Sequence, residues 1–295
     1  MAIEKAVPLA VPASALFSWL GSQEPRPYPN RPLSTTHLGS GQRRGSSTMS
    51  ARWLQVLPDS DAAARRAADF IAGRLRRAVA ARDRFCLALS GGSTPVPMFG
   101  ALAAMSLPWR QVEIYQVHEQ IAPEGSENRN LTYLKAAFGA TGARIIPMPV
   151  ESVDIASAVS TYAAALPGVL DLVHLGLGLD GHTASLVPGD PVLDIVDRDV
   201  ALCGPYQGLS RMTLTYRGLS KATEILWLVT GADKAPPLAR LCADDREIPA
   251  GRVRSERVRF VTDDAAVQEL AGRAQTGVHL WHRSVSPSSS TSTER

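Results

Sequence analysis

The stretch "LVHLGLGLDGHTASLVPGD", Leu172 to Asp190, decides how the chain is read. It opens as an apolar run interrupted only by His174, the mark of a strand buried on both faces of a parallel sheet. It then turns through Gly176, Gly178 and Gly181 and delivers Asp180 and His182 directly beyond the strand. In open α/β sheets the ligand crevice lies outside the carboxyl ends of the strands, so this turn is a place for chemistry. The glycine spacing also matches the G-x-G-x-x-G of dinucleotide-binding turns. That motif needs a long helix after its last glycine, and Pro188, Gly189 and Pro191 forbid one. The glycines are therefore turn residues. His182 becomes a candidate base, with Asp180 placed to orient its ring or to cap the turn.

Outward from this stretch, short apolar segments alternate with amphipathic ones. "RWLQVL" (52–57), "RFCLALS" (84–90), "QVEIYQV" (111–117), "RIIPMP" (144–149) and "TEILWLVTG" (223–231) read as strands. "SDAAARRAADFIAGRLRRAVAA" (60–81), capped by Ser60 or Asp61, reads as a helix, as do about 95–104, "NLTYLKAAF" (130–138), "DIASAVSTYAAAL" (154–166) and "DKAPPLARLCA" (233–243). "RMTLTYRGLSKA" (211–222) holds a strand and a helix start, and "RVRFVTDDAAVQELAG" (257–272) a last strand and helix. The pattern specifies one α/β domain over 51–282, with a mostly parallel sheet.

Composition narrows the function. Lys5, Arg26, Arg31, Arg43 and Arg44 against Glu4 and Glu24 account for the whole net charge of +3. The remainder is balanced, which excludes a nucleic-acid binder that relies on phosphate neutralisation. Cys86, Cys203 and Cys242 are widely spaced and form no CxxC, so reduced thiols in a cytoplasmic protein are expected rather than disulfides or zinc. No apolar run is long enough to span a membrane. Residues 1–50, rich in Pro, Gly, Ser and Thr, are expected to be a disordered extension, with Met49 a candidate start; 283–295 are expected to be a disordered tail. The weakly apolar 6–20 is a poor signal sequence, because Pro8, Pro12 and the pair Glu4-Lys5 break the pattern.

Two further places stand at strand ends. In "LSGGSTP", Leu89 to Pro95, Gly91 and Gly92 let the backbone approach a ligand and Ser90, Ser93 and Thr94 add hydroxyls. With free N–H groups from the following helix, this is a phosphate cradle or an ordinary capped turn. Arg211 and Lys234 are single cations beside strands, able to hold one phosphate as a fork and a point charge.

Together these motifs resemble the 6-phosphogluconolactonase family, within the group that includes glucosamine-6-phosphate deaminases and isomerases. The matching pieces are "LALSGGSTP", "VEIYQVHEQIAP" with "RNLTYL", "LGLGLDGHTASLVPG", "RMTLTYRGLSKA", "LVTGADKA" and "IPAGRV", in family order over about 52–272. The ending "HTASL" is similar to the lactonase branch. The resemblance implies a Rossmann-like three-layer α/β/α sandwich of the NagB/RpiA/CoA-transferase-like class. It implies hydrolysis of 6-phosphogluconolactone to 6-phosphogluconate in the pentose phosphate pathway, without metal or organic cofactor, by a monomer or small homo-oligomer. It makes His182 the base that activates water. Ser90, Gly91, Gly92, Ser93 and Thr94, with Arg211 and Lys234, then hold the phosphate. Asn130, Asp180 and Gly181 fall in the matched segments as substrate-side residues.

One segment departs. Where the family shows Asp-Glu-Arg, this chain has His118-Glu119-Gln120. Loss of a charged donor to an oxyanion costs roughly 10²–10³ in rate. A working lactonase is expected if His118, when protonated, replaces the missing cation, with Glu119 contacting the sugar or orienting His118. A weak or non-catalytic sugar-phosphate binder, or a glucosamine-6-phosphate deaminase, are the alternatives.

Overall fold

A computed structural model describes residues 51–270 and 279–281. The extension and tail anticipated at 1–50 and 283–295 lie outside the described residues, as do the last two residues of 257–272.

Among the described residues the main sheet has eight strands in the order β11-β1-β10-β9-β6-β2-β3-β5. They are β1 (Ala51–Leu57), β2 (Phe85–Leu89), β3 (Val112–Gln116), β5 (Arg144–Ile146), β6 (Leu172–Leu175), β9 (Ile225–Val229), β10 (Arg257–Asp263) and β11 (His279–Trp281). Every pairing in it is parallel. The buried strands are apolar throughout because alternate side chains enter different cores. Leu87, Leu89, Ile114, Leu226 and Leu228 meet helices α1 (Ser60–Arg82), α2 (Val96–Ala103) and α3 (Asn130–Phe138) on one face. Ala88, Tyr115, Val173, Leu175, Ile225 and Trp227 meet α4 (Ile155–Ala165) and α6 (Ala235–Cys242) on the other. This is the three-layer α/β/α arrangement.

The chain runs from β2 to β3 and β5 on one side, then returns to β6 and continues through β9 and β10 on the other. The strand order therefore reverses between β2 and β6. The crevice of such a sheet forms beyond the carboxyl ends at that point, where the loops at Ser90 and Gly176 begin.

A second sheet is antiparallel: β4 (His118–Gln120), β8 (Leu209–Leu214) and β7 (Val200–Tyr206), in that order. The sequence reading places only part of it, at 211 onward. β7 escapes because Gly204-Pro205 interrupts its pattern. The hairpin to β8 turns on Gln207 (φ 54°) and Gly208 (φ 82°), the two left-handed residues a tight hairpin demands. The short helix α5 (Tyr216–Leu219) follows β8.

Two other expectations are corrected. The α1 cap is Asp59, not Ser60 or Asp61. Its backbone is extended and its carboxylate accepts the Ala62 N–H at 2.7 Å. The segment after β10 is turns through Leu270, not helix. The Asp263 side chain accepts the Ala266 N–H at 2.9 Å, which satisfies the backbone in a local turn instead. After Gly181 comes only a 3-10 turn, Pro191–Asp194, so the dinucleotide reading has no helix to stand on.

Candidate active site

The β6 turn presents His182 half-buried at the crevice. Gly178 lies under the ring, where a Cβ would sit 2.0 Å from Nδ1. Gly181 takes a φ of +81° and its carbonyl accepts the Ala250 N–H at 2.9 Å, which pins the turn. His182 Nδ1 lies 2.6 Å from Asp180 Oδ1, and the same oxygen accepts the His182 backbone N–H at 3.1 Å. That contact places the ring proton on Nδ1 and leaves the Nε2 lone pair free. Burial works to raise the Asp180 pKa, but the amide and ring of His182 outweigh it and hold the carboxyl below its ordinary value. Tyr206, from β7, packs edge-on against the His182 ring with centroids 5.2 Å apart.

Arg211 packs on the same tyrosine, its guanidinium 4.8 Å from the ring centroid. Arg211 is 6% exposed and donates from Nη2 to the Tyr206 carbonyl at 3.1 Å, while its Nε is buried without a partner. No carboxylate pairs with it among the described residues. A buried cation in that state is a site for an anion to complete.

The β2 loop closes the opposite side. Gly91 packs against Asn130, whose Oδ1 a Cβ there would meet at 1.9 Å. Ser90 is buried, Gly92 takes a φ of +101°, Thr94 is half-buried and Ser93 is exposed. The expectation of free helix amides is corrected in part. Pro95 is the cap of α2 and Pro97 lies in its first turn, so two N–H groups are missing. A cradle here rests on the loop amides. Ser93, Gly92, Gln120, Asn130 and Tyr133 line a cleft of about 410 Å³.

The segment His118-Glu119-Gln120 is strand β4, and its alternation sorts its side chains. Glu119 points into the protein and is 0% exposed. Its carboxylate accepts the N–H groups of Gln120, Asn130 and Leu131 at 2.8, 2.8 and 2.9 Å, the Gln116 amide at 2.8 Å, and pairs with Arg129 at 3.1 Å. It anchors the start of α3. The expected contact with a sugar or with the His118 ring is corrected, because both oxygens are already saturated. His118 and Gln120 face the other way, opposite Thr213 and Arg211 of β8. His118 Nδ1 lies 3.4 Å from Ser90 Oγ, and its carbonyl accepts the Asn130 amide at 2.9 Å. Burial, then the positive charge of the facing Arg211, push its pKa down to about 3. The expectation of a protonated His118 standing in for the missing cation is therefore corrected: the ring is neutral at neutral pH.

Lys234, in the turn that follows β9, is half-buried, 3.9 Å from Asp233, and makes no hydrogen bond or ion pair with the other candidates among the described residues. Thus Ser90, Gly91, Asn130, His118, Gln120 and Arg211 are joined by contact or register, and Asp180 and His182 join them through Tyr206. Sequence reasoning missed Tyr206, Thr213 and Ser185. Thr213 Oγ1 accepts the Ser185 N–H at 3.1 Å, which ties the His182 loop to the residue opposite His118. Among the described residues no cluster of His, Cys, Asp and Glu suits a metal, and no helix is long and apolar enough to cross a membrane.

A sequence model of the family described as glucosamine-6-phosphate isomerases/6-phosphogluconolactonase matches residues 58–262. The chain belongs to that family. It is 32% identical over 236 residues to a 6-phosphogluconolactonase of Nostoc sp., a match covering 74% of this chain and 98% of the relative. It is 36% identical over 193 residues to one of Mesorhizobium japonicum, covering 61% and 80%. The solved 6-phosphogluconolactonase of Thermotoga maritima superposes with a TM-score of 0.66 at 24% identity, over 72% of this chain and 100% of that one, a likeness of fold. Within the glucosamine-6-phosphate isomerase/6-phosphogluconolactonase family, then, this chain sets its Asp180–His182 pair beside a neutral His118 wall.

Proposed function

We propose that this chain hydrolyses a sugar-phosphate lactone, 6-phosphogluconolactone to 6-phosphogluconate, the ring-opening step of the oxidative pentose phosphate pathway. The observation that carries the reading is the Asp180–His182 contact of 2.6 Å at the switch point, with Nε2 left as acceptor. His182 Nε2 takes a proton from water as its oxygen attacks the C1 carbonyl. The tetrahedral intermediate collapses, the bond from C1 to the ring oxygen breaks, and the imidazolium returns its proton to that oxygen as a hydroxyl. Asp180 holds the tautomer and stabilises the transient imidazolium. Arg211, with Lys234 and the Ser90–Thr94 loop, receives the phosphate. The 6-phosphogluconolactonases of Nostoc sp. and Mesorhizobium japonicum among its relatives support the substrate class.

The test is a lactonase assay on the pure chain, corrected for spontaneous lactone opening. His182→Ala should lower kcat by about 10²–10⁴. Turnover no faster than the spontaneous background, or a His182→Ala variant as fast as the parent, overturns the reading. Release of ammonia from glucosamine 6-phosphate would identify a deaminase instead.

A second reading, a sugar-phosphate binder of low turnover, is favoured by one observation: neither His118 nor Gln120 supplies the charge the family places there. It predicts that His118→Asp with Gln120→Arg raises kcat by orders of magnitude.

A further inference from the structure

The proposed chemistry leaves the His118 ring idle. His118 stands on β4 between the two catalytic loops. On one side Ser90 Oγ, at the end of β2, reaches its Nδ1 at 3.4 Å. On the other side Thr213 lies directly opposite on β8 and holds the Ser185 N–H of the His182 loop. Directly opposed residues of an antiparallel pair share a face, so half-buried His118 and Gln120 lie on the side of the sheet that carries Arg211 and the fully buried Thr213. The strand is fixed in place: the Asn130 amide binds the His118 carbonyl, and Glu119 is clamped to α3 from behind. Gln120 lies further out, in the cleft with Ser93, Asn130 and Tyr133. His118 is the inner of the two, next to the loop that carries the base.

We propose that His118 is a catalytic residue that works as a neutral hydrogen-bond donor, its Nε2–H polarising the lactone C1 carbonyl and holding the oxyanion formed there. The proposal rests on the lactonase reading above. Ser90 donates its hydroxyl proton to Nδ1, which fixes the remaining ring proton on Nε2. His118 transfers no proton. The water proton goes to His182 Nε2, negative charge builds on the carbonyl oxygen, and the His118 N–H stabilises it until the ring C–O bond breaks. A preorganised neutral donor serves this purpose, as in isomerases that polarise a carbonyl with an uncharged imidazole. The surroundings enforce neutrality. Arg211 from β8 opposes a positive ring, as would a proton on His182 or His174 of the β6 region, and the one carboxylate on β4, Glu119, faces away into its own bonds. The chain thereby replaces a charged donor with an uncharged one at the same wall.

Steady-state kinetics of His118→Ala and His118→Gln, with ring ¹⁵N NMR of the intact wild-type chain, test this. His118→Ala should lower kcat by about 10²–10³ with KM nearly unchanged. His118→Gln, whose amide N–H reaches the position of Nε2, should recover to within about tenfold of wild type. The wild-type rate should not climb as pH falls from 7 to 5, and the NMR should show the Nε2–H tautomer, still neutral at pH 5. An unchanged kcat in His118→Ala, a rate that climbs as the ring is protonated, or an Nδ1–H tautomer overturns the proposal. If His118→Ala does not fold, His118→Gln and the NMR decide. If the wild type turns over no lactone, the proposed function falls. The NMR then separately decides whether His118 is held as a donor, a charged ring or an Nδ1–H tautomer counting against it.

Discussion

The two walls of the crevice carry the same side chain in opposite settings. His182 is half-buried, with a carboxylate 2.6 Å from Nδ1. His118 has a hydroxyl at 3.4 Å, no carboxylate, and a buried arginine on its own face. An anion that stabilises imidazolium makes a ring a base; a cation-facing site without a carboxylate makes the same ring an uncharged donor. The residue type is thus a weak guide to role, and the partner on Nδ1 a strong one.

The largest effect should come from erasing that difference. Asp180→Asn leaves His182, like His118, without a carboxylate. An asparagine can offer its N–H to Nδ1, which favours the wrong tautomer and occupies Nε2 with the proton. A fall in kcat of about 10²–10⁴ is expected, with KM little changed. Asp180 is a third exposed, so the lower half of that range is the better figure. A kcat within threefold of wild type would show that the contact with Asp180 is not what separates the two walls.

The His182 wall was legible in the sequence and the His118 wall was not. Leu172 to His182 is local: an apolar run, turn glycines and Asp two before His specify strand, turn and dyad within eleven residues. The His118 wall depends on long-range pairing. Gln120 meets Arg211 and His118 meets Thr213 across more than ninety residues, and β7 hides behind Gly204-Pro205. Glu119 shows the cost. Its residue type suggested sugar contact, yet its place on the inward face of a three-residue strand makes it the anchor of α3. Tyr206, which touches both His182 and Arg211, carries no signal in the sequence beyond a Gln-Gly turn after it.

Arg211→Met sharpens the comparison from the other side, by removing the cation from the His118 wall. Charge-assisted hydrogen bonds to a phosphate contribute about 1.5–3 kcal/mol, so KM should rise roughly 10- to 150-fold. Folding stability should hold, because no carboxylate loses its partner. The His118 ring, relieved of a neighbouring positive charge, should titrate at higher pH than in wild type, which ring NMR reads directly. An unchanged KM would place the phosphate elsewhere, with Lys234 and the Ser90 loop as the remaining holders.

The smallest effect tests the comparison at its baseline, His174. It shares β6 with the His182 turn, is 1% exposed, has no partner on either ring nitrogen, and packs edge-on to Phe99. Burial alone pushes its pKa down to about 3. The native ring stays neutral while the unfolded ring, with an ordinary pKa near 6.5, takes up a proton. Its contribution to stability is therefore intact above about pH 6.5 and lost progressively as pH falls toward 3, and His118 behaves the same way. His174→Leu removes one of these two groups and two unsatisfied nitrogens. Stability at pH 7 should rise by about 1–2 kcal/mol, and thermal melts between pH 4 and 8 should show a shallower decline on the acid side. Turnover should be unaffected, because His174 faces α2 and not the crevice. Equal acid slopes in the two proteins would mean that His174 takes up a proton in the folded state, and that desolvation on this sheet is too weak to keep a histidine neutral without the cation that faces His118.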